Sequence, residues 1–204
     1  LGAEGSTSQR RFSIDAAFAE QQPPCPRTSS GSVALVAVHC APALRAYNMP
    51  ESVASMVRAR ELDPTCAMCF WGEAFSRGSF LNGGMSAEQA AAARVAIQQA
   101  NQLKANSSAM ERALIEAALV RYPEGYDPDE RRPVDQAFAD AMAGVYAKYP
   151  NNHDVAAVYA VSLFLLEDRR GYRDLADPDL QRLHGVITGV LAEDIKHPGA
   201  CHLY

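Results

Sequence analysis

Three short clusters of cysteine and histidine hold the side chains best suited to chemistry in this chain. Cys66 and Cys69 stand three residues apart, His197, Cys201 and His202 lie close together near the C-terminus, and His39 adjoins Cys40. Thiolate sulfur and imidazole nitrogen are the ligands of choice for zinc and copper. The metal-ligand candidates are therefore His39, Cys66, Cys69, His197, Cys201 and His202. A metal held by such ligands would activate water or oxygen, or pass electrons.

The Cys66-x-x-Cys69 pair admits several readings. On a helix, positions i and i+3 share a face, which would make the pair half of a zinc or copper site. Covalent haem attachment needs histidine directly after the second cysteine, and Phe70 stands there. A redox dithiol wants a strand-to-helix setting of the thioredoxin kind, which this helical stretch lacks. Both thiols also suit plain core packing, because free cysteine behaves as a small hydrophobe. Cys66 is also a candidate for a disulfide, with Cys25, just ahead of the first helix, as its partner. The chain has five cysteines, an odd number, so at least one is not paired within it.

At the C-terminus, Pro198 and Gly199 interrupt the stretch between His197 and Cys201, so helical i+4 geometry is not expected there. The structural role open to His197 is to cap the end of the preceding helix, where a cation is favoured. His153 and His184 stand alone and read as surface or cap residues. No glycine-rich phosphate loop, Gly-x-Ser-x-Gly element or His-Glu-x-x-His element is present. With no complete catalytic signature, whether the chain is an enzyme stays open. The cofactors compatible with its ligands are copper, zinc or haem.

The elements that position these residues are helical. Prolines at 64, 150 and 198 each follow a helix-like run and precede another. A helix cannot pass through them, since proline lacks an N–H and its ring blocks the preceding turn. The pattern predicts helices over 51–62, 66–77, 86–104, 108–121, 134–148, 154–167 and 179–195, with a further apolar run over 32–47 bent at Pro42. Ser86 and Gln89 stand at capping-box spacing, and Ser107 or Ser108 starts the next helix. Ala93, Ile97 and Ala100 repeat Ser52, Met56 and Ala59 at 41 residues' remove. In the first of these helices Val53, Met56, Val57 and Ala59 are expected to face the core. No segment alternates as a strand. Residues 1–31 read as an irregular arm rich in Gly, Ser, Gln and Pro, and 32–204 as one helical domain.

Composition removes two classes of function. The formal net charge is −5, and no Lys/Arg cluster exceeds a pair such as Arg131-Arg132. That leaves no basic stripe for a nucleic-acid backbone. No apolar run approaches the roughly 18 residues that suggest a membrane span. Hydrophobic residues at 48% of 204 are enough for a substantial core.

The proline-ended hairpins resemble the tetratricopeptide-repeat superfamily. Pro64 stands where the repeat's terminal proline belongs, and Ala59 and Met56 match its small and large packing positions. More narrowly, the chain resembles exported bacterial proteins of this type. The shared elements are Asp63 to Gly72, Arg112 to Ala117, Tyr149 to Val155 and His197 to Tyr204, in that order. The group usually continues with Ile-His after the final tyrosine, and that histidine is absent here. The resemblance implies an all-α fold of stacked antiparallel helical hairpins, a tetratricopeptide-like α-solenoid. It further implies an exported or periplasmic location and a concave groove for a protein or peptide partner. A homo-oligomer or a place in a larger complex is compatible with it. The start at Leu1 and the short run after Pro198 lead us to expect a processed or longer natural chain.

Overall fold

The computed structural model describes residues 48–80, 83–167 and 174–204. The expected arm over 1–31, the helix over 32–47, and with them Cys25, His39 and Cys40 lie outside the described residues.

Among the described residues eight α-helices follow one another, α1 Met49–Leu62, α2 Ala67–Arg77, α3 Ala87–Leu103, α4 Ala109–Leu119, α5 Arg132–Lys148, α6 His153–Phe164, α7 Pro178–Glu193 and α8 Pro198–Leu203, with a 3-10 turn at Lys104–Asn106 after α3. The fold of the described residues is all-α; an isolated bridge between Phe80 and Gly83 is the β feature recorded among them. Each helix starts for a local reason. Pro50, Pro133, Pro178 and Pro198 occupy the first turns of α1, α5, α7 and α8, where a missing N–H costs nothing. Full capping boxes open α3 (Ser86 with Gln89) and α4 (Ser108 with Glu111). The Asn152 side chain accepts from Val155 N at 2.9 Å to open α6.

Long and short helices alternate. The odd-numbered helices have 14, 17, 17 and 16 residues, the even-numbered ones 11, 11, 12 and 6. Among the described helices every substantial contact joins elements one or two places apart in the chain: each helix with the next, α2 with α4, and α6 with α8. No two long helices share such a contact.

The burial pattern recurs with the helices. Ser52, Met56 and Ala59 of α1 are buried, as are Ala93, Ile97 and Ala100 of α3, Phe138, Met142 and Val145 of α5, and Leu183, Ile187 and Val190 of α7. Each triplet has the i, i+4, i+7 spacing of one helical face, and the steps between triplets are 41, 45 and 45 residues. The short helices keep a stricter step. Trp71, Ile115, Tyr159 and Leu203 are all buried and follow one another at intervals of 44. The sequence expectation for α1 needs correction here. Its inner stripe is Ser52, Met56 and Ala59, whereas Val53 and Val57 are only half-buried. Ser52 sits inside because its Oγ meets Ser76 Oγ of α2 at 2.6 Å, so both hydroxyls are satisfied.

The two kinds of helix differ in exposure. Along α2 every residue is buried except the half-buried Arg77, and α6 has no exposed residue. The long helices carry the wet faces. Met142→Ala, at a fully buried position, should lower the unfolding free energy by about 2–5 kcal/mol. Val95→Ala on the outside of α3 should change it by less than about 0.5 kcal/mol. Urea denaturation followed by far-UV circular dichroism reads both, and equal effects would contradict the placement of the α5 stripe.

Candidate functional site

The first cysteine pair sits where α1 turns into α2. Pro64 ends α1, and the Asp63 carboxylate collects the turn: Thr65 N and Thr65 Oγ1 donate to its Oδ1 at 3.0 and 2.7 Å, while Cys66 N donates to Asp63 O at 3.1 Å. This leaves Cys66 as the N-cap of α2, in extended backbone, with Cys69 at the third helical position. Cys66 Sγ accepts from Cys69 N at 3.2 Å. The two sulfurs are joined as a disulfide, with Cα atoms 5.4 Å apart.

This corrects the expected Cys25–Cys66 bridge: Cys66 is paired with Cys69. The physical reason is that Cys66 lies just outside the helix, not on its face. Its non-helical backbone turns the sulfur back over the first turn, onto Cys69. In this state neither sulfur is a thiolate, so neither can serve as the expected zinc, copper or haem ligand.

The C-terminal cluster is dispersed by the same kind of local geometry. Pro198 starts α8, so His197 becomes its N-cap; Nδ1 accepts from Ala200 N at 3.1 Å. The expected role at the end of the preceding helix is thereby replaced by one at the start of the next. An accepting Nδ1 places the proton of the neutral ring on Nε2, which faces Asp154 Oδ1 at 3.5 Å. Cys201 Sγ turns the other way and donates to Ile195 O at 3.2 Å, and His202 is exposed. Among the described residues no three His, Cys, Asp or Glu side chains form a group able to hold a metal ion. His39 lies outside them.

Sequence reasoning treated His153 as isolated, and the structure gives it company. Its Nε2 lies 3.0 Å from Glu193 Oε2, and its ring meets that of His197 edge-on at 6.1 Å between centroids. Two imidazoles and two carboxylates thus tie the starts of α6 and α8 to the end of α7. A signal was present, for His153 and His197 stand 44 residues apart, the step of the short helices.

Two buried charges were also missed. Glu73 of α2 is held by Arg60 Nε at 2.7 Å and by Arg77 Nη2 at 2.9 Å. Arg121 is 2% exposed and lies against three rings, Phe138 at 4.8 Å, Phe75 at 5.1 Å and Tyr122 at 5.6 Å. Its Nη2 donates to Ser79 O, and its Cζ would lie 2.7 Å from a Cβ at position 78, so only glycine fits there. Tyr122 and Tyr126 are buried, and Tyr122 Oη donates to Ala74 O at 2.6 Å.

No protein-family model, curated protein or solved structure matches this chain.

Two predictions follow the buried polar groups. Burial pushes the Tyr122 phenol above its ordinary 10.0, against the opposing pull of Arg121. The folded state therefore keeps a proton that the unfolded chain releases. The stability this gives is complete below the unfolded value of about 10 and is lost as pH rises through the higher folded one. Tyr122→Phe should flatten the alkaline decline of the melting temperature, measured by circular dichroism at stepped pH. At the other site, His197→Ala should cost about 0.5–2 kcal/mol by removing the α8 cap. His197→Asn, whose Oδ1 can accept from the same N–H, should recover most of that in urea titration.

Proposed function

We propose that this chain is a helical-repeat binding module, a tetratricopeptide-like α-solenoid that holds a protein or peptide partner along its long helices. The observation that carries this reading is the fourfold recurrence of the buried triplets, Ser52-Met56-Ala59 through Leu183-Ile187-Val190, at steps of 41 to 45 residues. Neighbour-only packing supports it, because stacked repeats bury a continuous core between adjacent units and leave an extended surface for a ligand. The step is longer than the roughly 34 residues of a standard tetratricopeptide unit, and the stretches between α2 and α3 and between α4 and α5 lengthen the first two steps.

The binding face belongs to the long helices. The short helices α2 and α6 expose no residue, so they have little to offer a partner. On α3, α5 and α7 the exposed positions recur in step: Ala91 and Val95, Gln136 and Asp140, Gln181 and Gly185. The reading places the partner along this face, where successive long helices make no substantial backbone contact with one another. The Cys66–Cys69 bridge supports an exported, oxidising location.

A photo-reactive benzophenone residue placed singly at Ala91, Gln136 and Gln181 tests this in cells of the source. The reading expects one common partner to be captured from at least two of these sites, and none from Glu124 in the loop before α5. Capture from nowhere, or equally from all four positions, would overturn it.

A further inference from the structure

The Cys66–Cys69 disulfide is asymmetric, and each half is placed for a different task. Cys69 is 1% exposed and packed within the core of α2. Cys66 is half-buried and stands at the surface end of the pair, ahead of an eleven-residue helix. We propose that the pair is a thiol–disulfide exchange centre, with Cys66 as the sulfur that meets a substrate thiol and Cys69 as the resolving sulfur behind it. The proposal stands apart from the repeat-array reading, since it needs only the α1–α2 turn.

Three observations carry it. First, Cys66 is half-buried whereas Cys69 is sealed in the core, so an incoming thiolate would meet the Cys66 side of the bond. Second, Cys66 Sγ already accepts a hydrogen bond from Cys69 N at 3.2 Å. That donor, together with the positive end of α2, would stabilise the same sulfur as a thiolate once reduced. Third, the bridge spans a sequence separation of three. A loop that small restrains the unfolded chain little, so the bridge is a weak staple. The strand-to-helix setting that the sequence lacked is not what the chemistry needs. It needs the start of a helix, which the Asp63-Pro64-Thr65 turn supplies.

The exchange balances as follows. A substrate thiolate attacks Cys66 Sγ, forms a mixed disulfide, and breaks the Cys66–Cys69 bond. The Cys69 sulfur leaves with the electron pair and takes a proton. A second substrate thiol, deprotonated, attacks the substrate's sulfur in the mixed disulfide and expels Cys66 as thiolate. The protein gains two electrons and one proton, held on Cys69; the other proton of the two substrate thiols goes to solvent, and those thiols become one disulfide. Run backwards, the reduced pair donates its electrons to a substrate disulfide.

The whole chain is equilibrated in glutathione buffers from oxidising to reducing, acid-quenched and alkylated, and the Cys66–Cys69 peptide is read by mass spectrometry. The proposal expects reversible passage between bridged and reduced forms within that range, with a glutathione adduct trapped on Cys66 when Cys69→Ser is used. A bridge that stays closed in the most reducing buffer is a structural staple and overturns the proposal. In a second arm, iodoacetamide labelling of Cys66 in Cys69→Ser is followed against pH. The midpoint is expected at least about one pH unit below the ~8.5 of a free cysteine. A midpoint at or above that value overturns it. Should Cys69→Ser lose its helical circular dichroism, the wild-type glutathione titration decides alone.

Discussion

A helix of eleven or twelve residues is marginal in water, because nucleation is costly and too few hydrogen bonds follow it. The short helices α2, α4 and α6 exist here because a long helix covers each of them on both sides in the chain. That constraint orders the rest of the molecule. It fits the burial of Trp71, Ile115 and Tyr159, one on each short helix at one fixed step. It also explains why the long helices carry most of the exposed positions. They turn an i, i+4, i+7 face inward and are free to be polar elsewhere.

The same sandwich creates a problem of polarity, which the chain solves locally. Glu73 in the middle of α2 and Arg121, two residues past α4, enter the interior with their charges. Glu73 is answered by two arginines, one from α1 and one from its own helix. Arg121 is answered by three aromatic faces and a carbonyl across the α2 loop. Removing one partner from such a group leaves a buried charge uncompensated, which is more damaging than never having placed it. These clusters therefore lock the α1–α2–α4 junction in one arrangement and tolerate no simple truncation. Gly78 belongs to the same lock, because a larger residue would displace the guanidinium.

What could be read from sequence divides along the same physical line. Signals confined to one turn of chain were legible: the breaks at Pro64 and Pro150, the box at Ser86, a cap at Ser107 or Ser108, the start at Pro50. The first recurrence, Ala93-Ile97-Ala100 after Ser52-Met56-Ala59, was legible because the residues stay small or aliphatic. The later ones were not, since Ala93 is succeeded by Phe138 and Leu183, and position persists while identity changes. Hydrophobicity also misplaced the α1 stripe, favouring Val53 and Val57 over Ser52, whose burial depends on a partner hydroxyl 24 residues away. The two site errors share one cause. Cys66 was read as a member of its helix and His197 as a cap on the end of the preceding one, and both are N-caps of the helix that follows. At His197 the signal was available, because a proline at the first helical position makes the preceding residue the cap.

The two N-caps invite comparison, because they show what a disulfide adds beyond capping. His197 closes its helix with a ring nitrogen and holds Asp154 nearby. Cys66 does the first of these jobs with sulfur, and a serine or aspartate would do it as well or better. The covalent bond to Cys69 cannot be justified by capping, and entropy justifies it poorly. In the chain-entropy model so short a loop gives about 2 kcal/mol, against about 4.7 for a bridge closing 100 residues. A chain seeking only stability would gain more from linking distant helices, for instance across the α2–α3 seam. Placing both sulfurs in one turn, one sealed and one reachable, sacrifices most of that gain and keeps the bond open to exchange. The arrangement makes physical sense if the bridge is there to be opened.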